Sequence, residues 1–189
     1  HDAITKLLIK EGFAVKRHTY GLATSFEAEF GSGGRLVVYC AECNAPPDIG
    51  HACSHNLIAF SSVAAFIGLS IALKGLAVEV RMRMLGIPAE EALGGKIKML
   101  QAGAFADDAA AAMMLHPLVS HSLPQGVMEN AGSKFIPTVR LQVNFHGQSA
   151  HAGAAPWNGL KALDAAAAIY INVSMLRQHS HPDSASTSS

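Results

Sequence analysis

The order of patterns along this 189-residue chain predicts an α/β fold, with helices laid on a central sheet. Three stretches carry the prediction. Leu36-Val37-Val38-Tyr39 is a continuous apolar run with glycines before it and the polar, proline-containing Ala41 to Gly50 after it, as expected of a buried strand. Leu57 to Leu73 follows as an uncharged apolar segment of helical length. Val78, Val80, Met82 and Met84 then alternate with Glu79, Arg81 and Arg83, a period-2 strand that stops at Pro88.

The remaining elements fall around that frame. Ile4, Leu7 and Leu8 share one face of an opening amphipathic helix, which Gly12 breaks. Ala14 to His18 and Thr24 to Phe30 read as short strands about a turn at Gly21, and Gly31-Ser32-Gly33-Gly34 reads as a hairpin turn. The long apolar segment is expected to be a buried core helix capped by Asn56. A membrane span wants about 20 apolar residues, and this one is shorter and carries Ser61, Ser62, Gly68 and Ser70. A second helix is expected from about Gly95 to Gln101, then an apolar strand from Ala109 to Leu115.

Between Leu123 and Gly132 the composition shifts to Pro, Gly and Asn, and a new unit begins. Thr138, Arg140, Gln142 and Asn144 alternate with Val139, Leu141, Val143 and Phe145, the pattern of a strand with one wet face. A helix from Leu160 to about Arg177 gathers Leu163, Ala166, Ala167, Tyr170 and Val173 on one face. The Ser-rich tail from His179 is expected to be disordered. The organisation is therefore two units, residues 1–131 and 132–178, and a tail over 179–189.

Half of the residues are hydrophobic, 15% are charged, and 14 Lys+Arg balance 14 Asp+Glu, which excludes a disordered chain. With no basic run there is no electrostatic footprint for nucleic acid, and no polybasic patch for a membrane surface. The chain opens on His1 already inside a helical pattern, so it is expected to be part of a longer protein. No secretory signal pattern is present in it. Cys40, Cys43 and Cys53 lie close together and leave one unpaired, which suits thiol or metal chemistry in a reducing, cytosolic compartment better than a disulfide framework.

The chemistry gathers after the strands. His51-Ala52-Cys53-Ser54-His55-Asn56 lies between a strand and a helix; Cys53 and His55, two residues apart in an extended segment, point the same way and could share a metal. The helix N-terminus that follows is expected to favour the Cys53 thiolate. Glu90-Glu91 offers one carboxylate for a metal and one for protons, the pair a metal hydrolase needs. His116, at the end of another apolar strand, is the natural further ligand. Taken singly, each has an ordinary structural reading.

Four stretches together resemble the co-catalytic metallopeptidases and amidohydrolases of the M20 family, closest to the aminoacylase-like amidohydrolase and dipeptidase branch. They are ECNAPPDIGHACSHNLIA from Glu42 to Ala59, IPAEEALGGKIKMLQAGAF from Ile87 to Phe105, MMLHP from Met113 to Pro117 and FHGQSAHAGAAPWNGLKALDA from Phe145 to Ala165. The resemblance implies an incomplete three-layer di-metal hydrolase domain followed by the start of an α+β lid and dimerisation domain. It implies two divalent ions, zinc or manganese, held by Cys53, His55, Glu91 and His116, with Glu90 as general base. His151 would belong to the lid and steady the oxyanion in a partner subunit of a homodimer. The implied substrate is a small N-acyl amino acid or dipeptide, and the 189 residues alone are expected to be inactive for want of a final ligand. The family carries Tyr, an acidic residue and Gly where this chain has Cys43, Asn44 and Ser54; the first acidic charge would orient a ligand, and Ser54 is expected to strain a turn that Gly enters freely.

Two other readings use the same residues. Cys40, Cys43, Cys53 and His55 could form a closed structural zinc set, making the chain a zinc-binding module; a non-catalytic module that merely associates through its second unit is a separate alternative that needs none of them. Alternatively Cys53 could be a nucleophile with His51 or His55 as its base.

Overall fold

Alternation of apolar side chains decides which way each strand faces, and in this chain it builds a sheet covered on both sides. The computed structural model describes residues 1–76, 78–105, 109–118, 123–129, 131 and 141–179. It divides the chain into two compact units, His1–Pro124 and Gln125–Ser189.

In the first unit α1 (Asp2–Lys10) precedes β1 (Val15–Arg17), β2 (Phe26–Phe30) and β3 (Arg35–Glu42). Then come α2 (His55–Lys74), β4 (Val80–Ile87), the single turn α3 (Glu90–Leu93), α4 (Gly95–Gln101) and β5 (Ala109–Met113). The strands form one mixed sheet in the order β1-β2-β4-β3-β5. β4, β3 and β5 run parallel, while β2 joins β4, and β1 joins β2, antiparallel. Odd positions of β3, Val37, Tyr39 and Ala41, face a cluster with Leu8 of α1 and Val63 and Phe66 of α2. Even positions Leu36, Val38 and Cys40 face Met99 of α4 together with Leu85 and Ile87. Helix, sheet and helix thus make three layers.

α2 is long and apolar enough to cross a membrane. Here one side of it, Ile58, Ala59, Ser62, Val63, Phe66 and Ser70, is packed as core, and the Ser62 hydroxyl donates to the Cys40 carbonyl of β3 at 2.7 Å. The opposite side leaves Phe60 72% exposed. Its N-cap is Ser54 rather than Asn56, which lies inside the first turn. Ser54 adopts φ +60°, the left-handed region that costs a residue with a Cβ, as its place in the sequence predicts.

The glycine run at 31–34 is not a hairpin. β2 and β3 are not neighbours, because β4 lies between them. The run instead crosses the start of β4 so closely that a Cβ on Gly31 would stand 2.1 Å from the Val80 carbonyl oxygen, and one on Gly34 1.9 Å from that of Glu79. A glycine cluster announces a change of direction, but not which strands will pair.

The described part of the second unit centres on α5 (Ala162–Leu176), which runs into a 3-10 turn at Arg177–His179. It begins later than Leu160 because Leu160 is committed elsewhere: its N–H donates to the Gln148 carbonyl at 2.9 Å, and the Gln148 N–H donates back at 3.0 Å. Of the strand expected over 138–145, residues 138–140 lie outside the described residues, and 141–147 take no regular form. A strand holds its backbone groups only through a neighbour, and among the described residues none is paired with this segment. Leu163 at 77% exposed, Tyr170 and Val173 remain uncovered on α5. The expected disordered tail, apart from His179, also lies outside the described residues.

Candidate metal centre

Three parallel strands end at one edge of the sheet, the usual place for a site in an α/β fold. Asn44 follows β3, Glu90 and Glu91 form the turn after β4, and His116 follows β5. Cys53 and His55 arrive at the same edge at the start of α2.

The structure brings Cys53, His55 and His116 together, with one ligand atom from each lying within 4.8 Å of the others. The Cys53 sulfur is 3.9 Å from His116 Nε2, and the two imidazoles meet edge to face at 5.8 Å between centroids. Glu91 joins them, its Oε1 being 3.3 Å from His55 Nε2. All four residues expected as ligands are therefore adjacent.

Hydrogen bonds fix which nitrogen each ring presents. His55, only 3% exposed, has Asn44 Oδ1 at 2.8 Å and Glu42 Oε2 at 3.4 Å from its Nδ1. Both neighbours are acceptors, so Nδ1 donates to them and Nε2 is the nitrogen turned toward the cluster. His116 Nδ1 donates to the Pro117 carbonyl at 2.8 Å, which likewise turns Nε2 toward Cys53. An imidazole nitrogen facing a carboxylate at 3.3 Å calls for positive charge between them, a proton or a metal ion. Thiolate, two imidazoles and a carboxylate are the donor set of a zinc-class ion, so the residues fit a divalent metal.

Partial desolvation at its largely exposed position, together with the Glu91 and Glu42 carboxylates, pushes the Cys53 thiol above its ordinary value. This reverses the expectation that the helix N-terminus favours the thiolate. It also removes the basis for a free Cys53 nucleophile, which needs a lowered value.

Glu90 is held by Lys96 at both oxygens: the Lys96 backbone N–H donates to Oε2 at 2.7 Å and Nζ lies 3.4 Å from Oε1. Nζ also donates to Oε1 of Glu42, which is 1% exposed. Burial would lower the Lys96 value, but Glu42 and Glu90 override it and keep the ammonium charged. Glu42 and Lys96 are site residues that the sequence reading missed. The available signal was an acid ending a buried apolar run and a Lys directly after Gly94-Gly95.

His151 belongs to the second unit, where its Nδ1 accepts the N–H groups of Gly153 and Ala154 at 3.2 and 3.1 Å. The closed Cys3His set does not assemble. Cys40 faces the α4 side of the core, where burial pushes its thiol up to about 11, and the Cys43 thiol points at the Ile87 carbonyl, 3.9 Å away.

No protein-family model matches the chain. The mouse protein named Xaa-Arg dipeptidase is 41% identical to it over 182 residues, taking in 90% of this chain and 39% of the relative. This likeness to a dipeptidase agrees with the resemblance of the four sequence stretches to the M20 metallopeptidases and amidohydrolases. One of the two p-aminobenzoyl-glutamate hydrolase polypeptides of Escherichia coli K12 is 27% identical over 195 residues, 94% of this chain and 39% of that protein. The chain thus spans about two fifths of the length of these relatives. A solved Bacillus subtilis protein described as a dinuclear metal-binding peptidase of the M20 family superposes with a TM-score of 0.49 at 22% identity, over 59% of this chain and 34% of that one.

Proposed function

We propose that the protein hydrolyses the amide or peptide bond of small N-acyl amino acids or dipeptides, using two divalent ions of the zinc or manganese type. The observation that carries this reading is the convergence of Cys53, His55 and His116 within 4.8 Å, with Glu91 beside His55, at the edge where the parallel strands end. These four would hold the ions. What the ions supply when bound is polarisation of the scissile carbonyl and acidification of water.

Glu90 is the proton carrier in this reading. Its carboxylate takes a proton from water and delivers it to the leaving amine, and the Lys96 contacts at both oxygens aim it. Asn44 and Glu42 orient His55 from behind. His151 is assigned to the oxyanion of a partner copy in a cytosolic homodimer, on the strength of the resemblance around Phe145 to Ala165. The names of the relatives make Xaa-Arg dipeptides and p-aminobenzoyl-glutamate the first substrates to try.

Because the chain spans 39% of the relatives' length, turnover is proposed for these residues within a polypeptide of that length, and the 189 residues alone are expected to bind metal without turning over. In the longer polypeptide Glu90→Gln should keep the metal and lower kcat by about 100-fold or more. Turnover that survives Glu90→Gln would refute the assignment of the base. Mixing His151→Ala with Glu90→Gln chains should restore activity through hybrid dimers, and a mixture as inactive as its components would refute the action in trans.

A further inference from the structure

Glu90 and Glu91 are neighbours in the chain, yet they serve separate partners. Glu90 is held by the Lys96 backbone N–H and ammonium, at 2.7 and 3.4 Å, while Glu91 reaches His55 at 3.3 Å and Asn44 at 2.9 Å. In an extended chain adjacent side chains point to opposite faces of the sheet, so a β4 continued through both acids would send one to the α2 side and the other to the α4 side. On a helical turn they diverge by only about 100° and stay together at the strand end. The change from strand to turn falls on Ala89, whose φ of +53° and ψ of +39° are left-handed, a conformation unfavourable to any residue with a Cβ. We infer that Ala89 is a positioning residue of the metal centre: its left-handed turn swings the chain out of β4 so that Glu91 meets the ligand cluster and Glu90 meets Lys96. The inference rests on the metal reading above.

A strained residue persists only where its surroundings over-determine it, and here both sides of Ala89 are fixed. Before it, Pro88 favours an extended Ile87, and β4 stays paired with β3 up to Ile87, opposite Glu42. After it, the Gly94 N–H donates to the Glu90 carbonyl at 3.1 Å and closes the single turn of α3. Gly94 is itself left-handed, at φ +61°, and sends the chain back until Gly95 lies on the Pro88 carbonyl, where a Cβ would stand 1.9 Å from the oxygen. That return is what brings the Lys96 N–H to Glu90. Gly would enter the Ala89 conformation without strain, whereas Val, branched at Cβ, would resist it.

The test compares Ala89→Gly and Ala89→Val with the parent chain by urea denaturation without metal, by zinc titration against a chromophoric chelator, and by the cobalt spectrum. Ala89→Gly relieves the left-handed residue, so its urea midpoint should rise while its zinc affinity stays close to the parent's. Ala89→Val should bind zinc about 10- to 100-fold more weakly. Its cobalt complex should keep the Cys53 thiolate charge-transfer band, since Cys53, His55 and His116 reach the cluster from other stretches, while the visible bands shift as the Glu91 carboxylate is lost. Parent affinity in Ala89→Val, or an Ala89→Gly chain that binds zinc as weakly as Ala89→Val, would overturn the inference. A midpoint unchanged or lowered in Ala89→Gly would do the same, and it decides even where Ala89→Val does not fold. Should the unsubstituted chain bind neither ion, the metal reading itself fails and this inference with it.

Discussion

Two polar clusters flank the sheet of the first unit, and they are wired differently. At the antiparallel end, buried Glu27 receives the Lys16 ammonium at 2.8 Å and the Tyr20 hydroxyl, and Arg83 reaches both it and Glu29. Sheet register already pairs Lys16 with Glu27 and Glu29 with Arg83, and Arg83 finishes on the Ala104 carbonyl at 3.0 Å. Each acceptor there meets a donor. At the parallel end, by contrast, an imidazole nitrogen of His55 faces the Glu91 carboxylate and the Cys53 sulfur faces an imidazole nitrogen of His116. What separates the two clusters is the kind of group brought together: carboxylates and cations at one end, and at the other thiol, imidazole and carboxylate atoms gathered within reach of one ion.

The sharpest way to break that contrast is to remove one ligand. Cys53→Ser should weaken zinc binding by at least about 100-fold, or ~2.7 kcal/mol, yet leave the denaturant midpoint of the metal-free chain almost unmoved, since Cys53 is exposed. An equal loss of stability would mean that the parallel-end cluster is structural after all.

Glu27→Gln should do the reverse, costing about 1–3 kcal/mol of stability with zinc affinity unchanged. Burial alone would raise the Glu27 value, but bonds from Lys16 and Tyr20 and the charges of Lys16 and Arg83 hold it below the ordinary 4.5. A carboxyl lowered by folding stabilises the native state above its unfolded value and loses that contribution as pH falls through the native one. Urea midpoints compared at about pH 7 and about pH 3 should therefore converge in Glu27→Gln relative to the parent chain.

Lys16 is largely exposed, so its pair with Glu27 is screened by water, and Lys16→Met should cost no more than about 1 kcal/mol. Smallest of all, Cys40→Ala with Cys43→Ser should leave the zinc stoichiometry where it was. A lost equivalent would revive the structural-zinc reading.

The sequence exposes these two clusters unequally. Cys53, His55, Glu91 and His116 are readable because their side chains have few ordinary reasons to occur together at strand ends. Glu42 and Lys96 are not, since a buried ion pair between β3 and α4 exists only once both elements are placed. The helix Gly95–Gln101 emerges with its expected bounds because glycines open it and a regular spacing fills it. The helix starts after Ser54 although the pattern suggests Asn56, and since the Ser54 side chain makes no cap hydrogen bond, the cap preference that singles out Asn56 is not what sets this end. Strand partners are harder still: the placing of β4 beside β2 depends on contacts far apart along the chain, such as Glu29 with Arg83, and local pattern carries no record of them.

That placing has a consequence during synthesis. β2 and β3 leave the ribosome one after the other, but they cannot join, because the slot between them belongs to a strand not yet made. Through the whole synthesis of α2 two unpaired strand edges wait, a state open to capture by another chain. In the finished sheet the bare backbones of Gly31 and Gly34 leave the room that Val80 and Glu79 occupy, so a side chain at either position would obstruct the entry of β4 between its two neighbours.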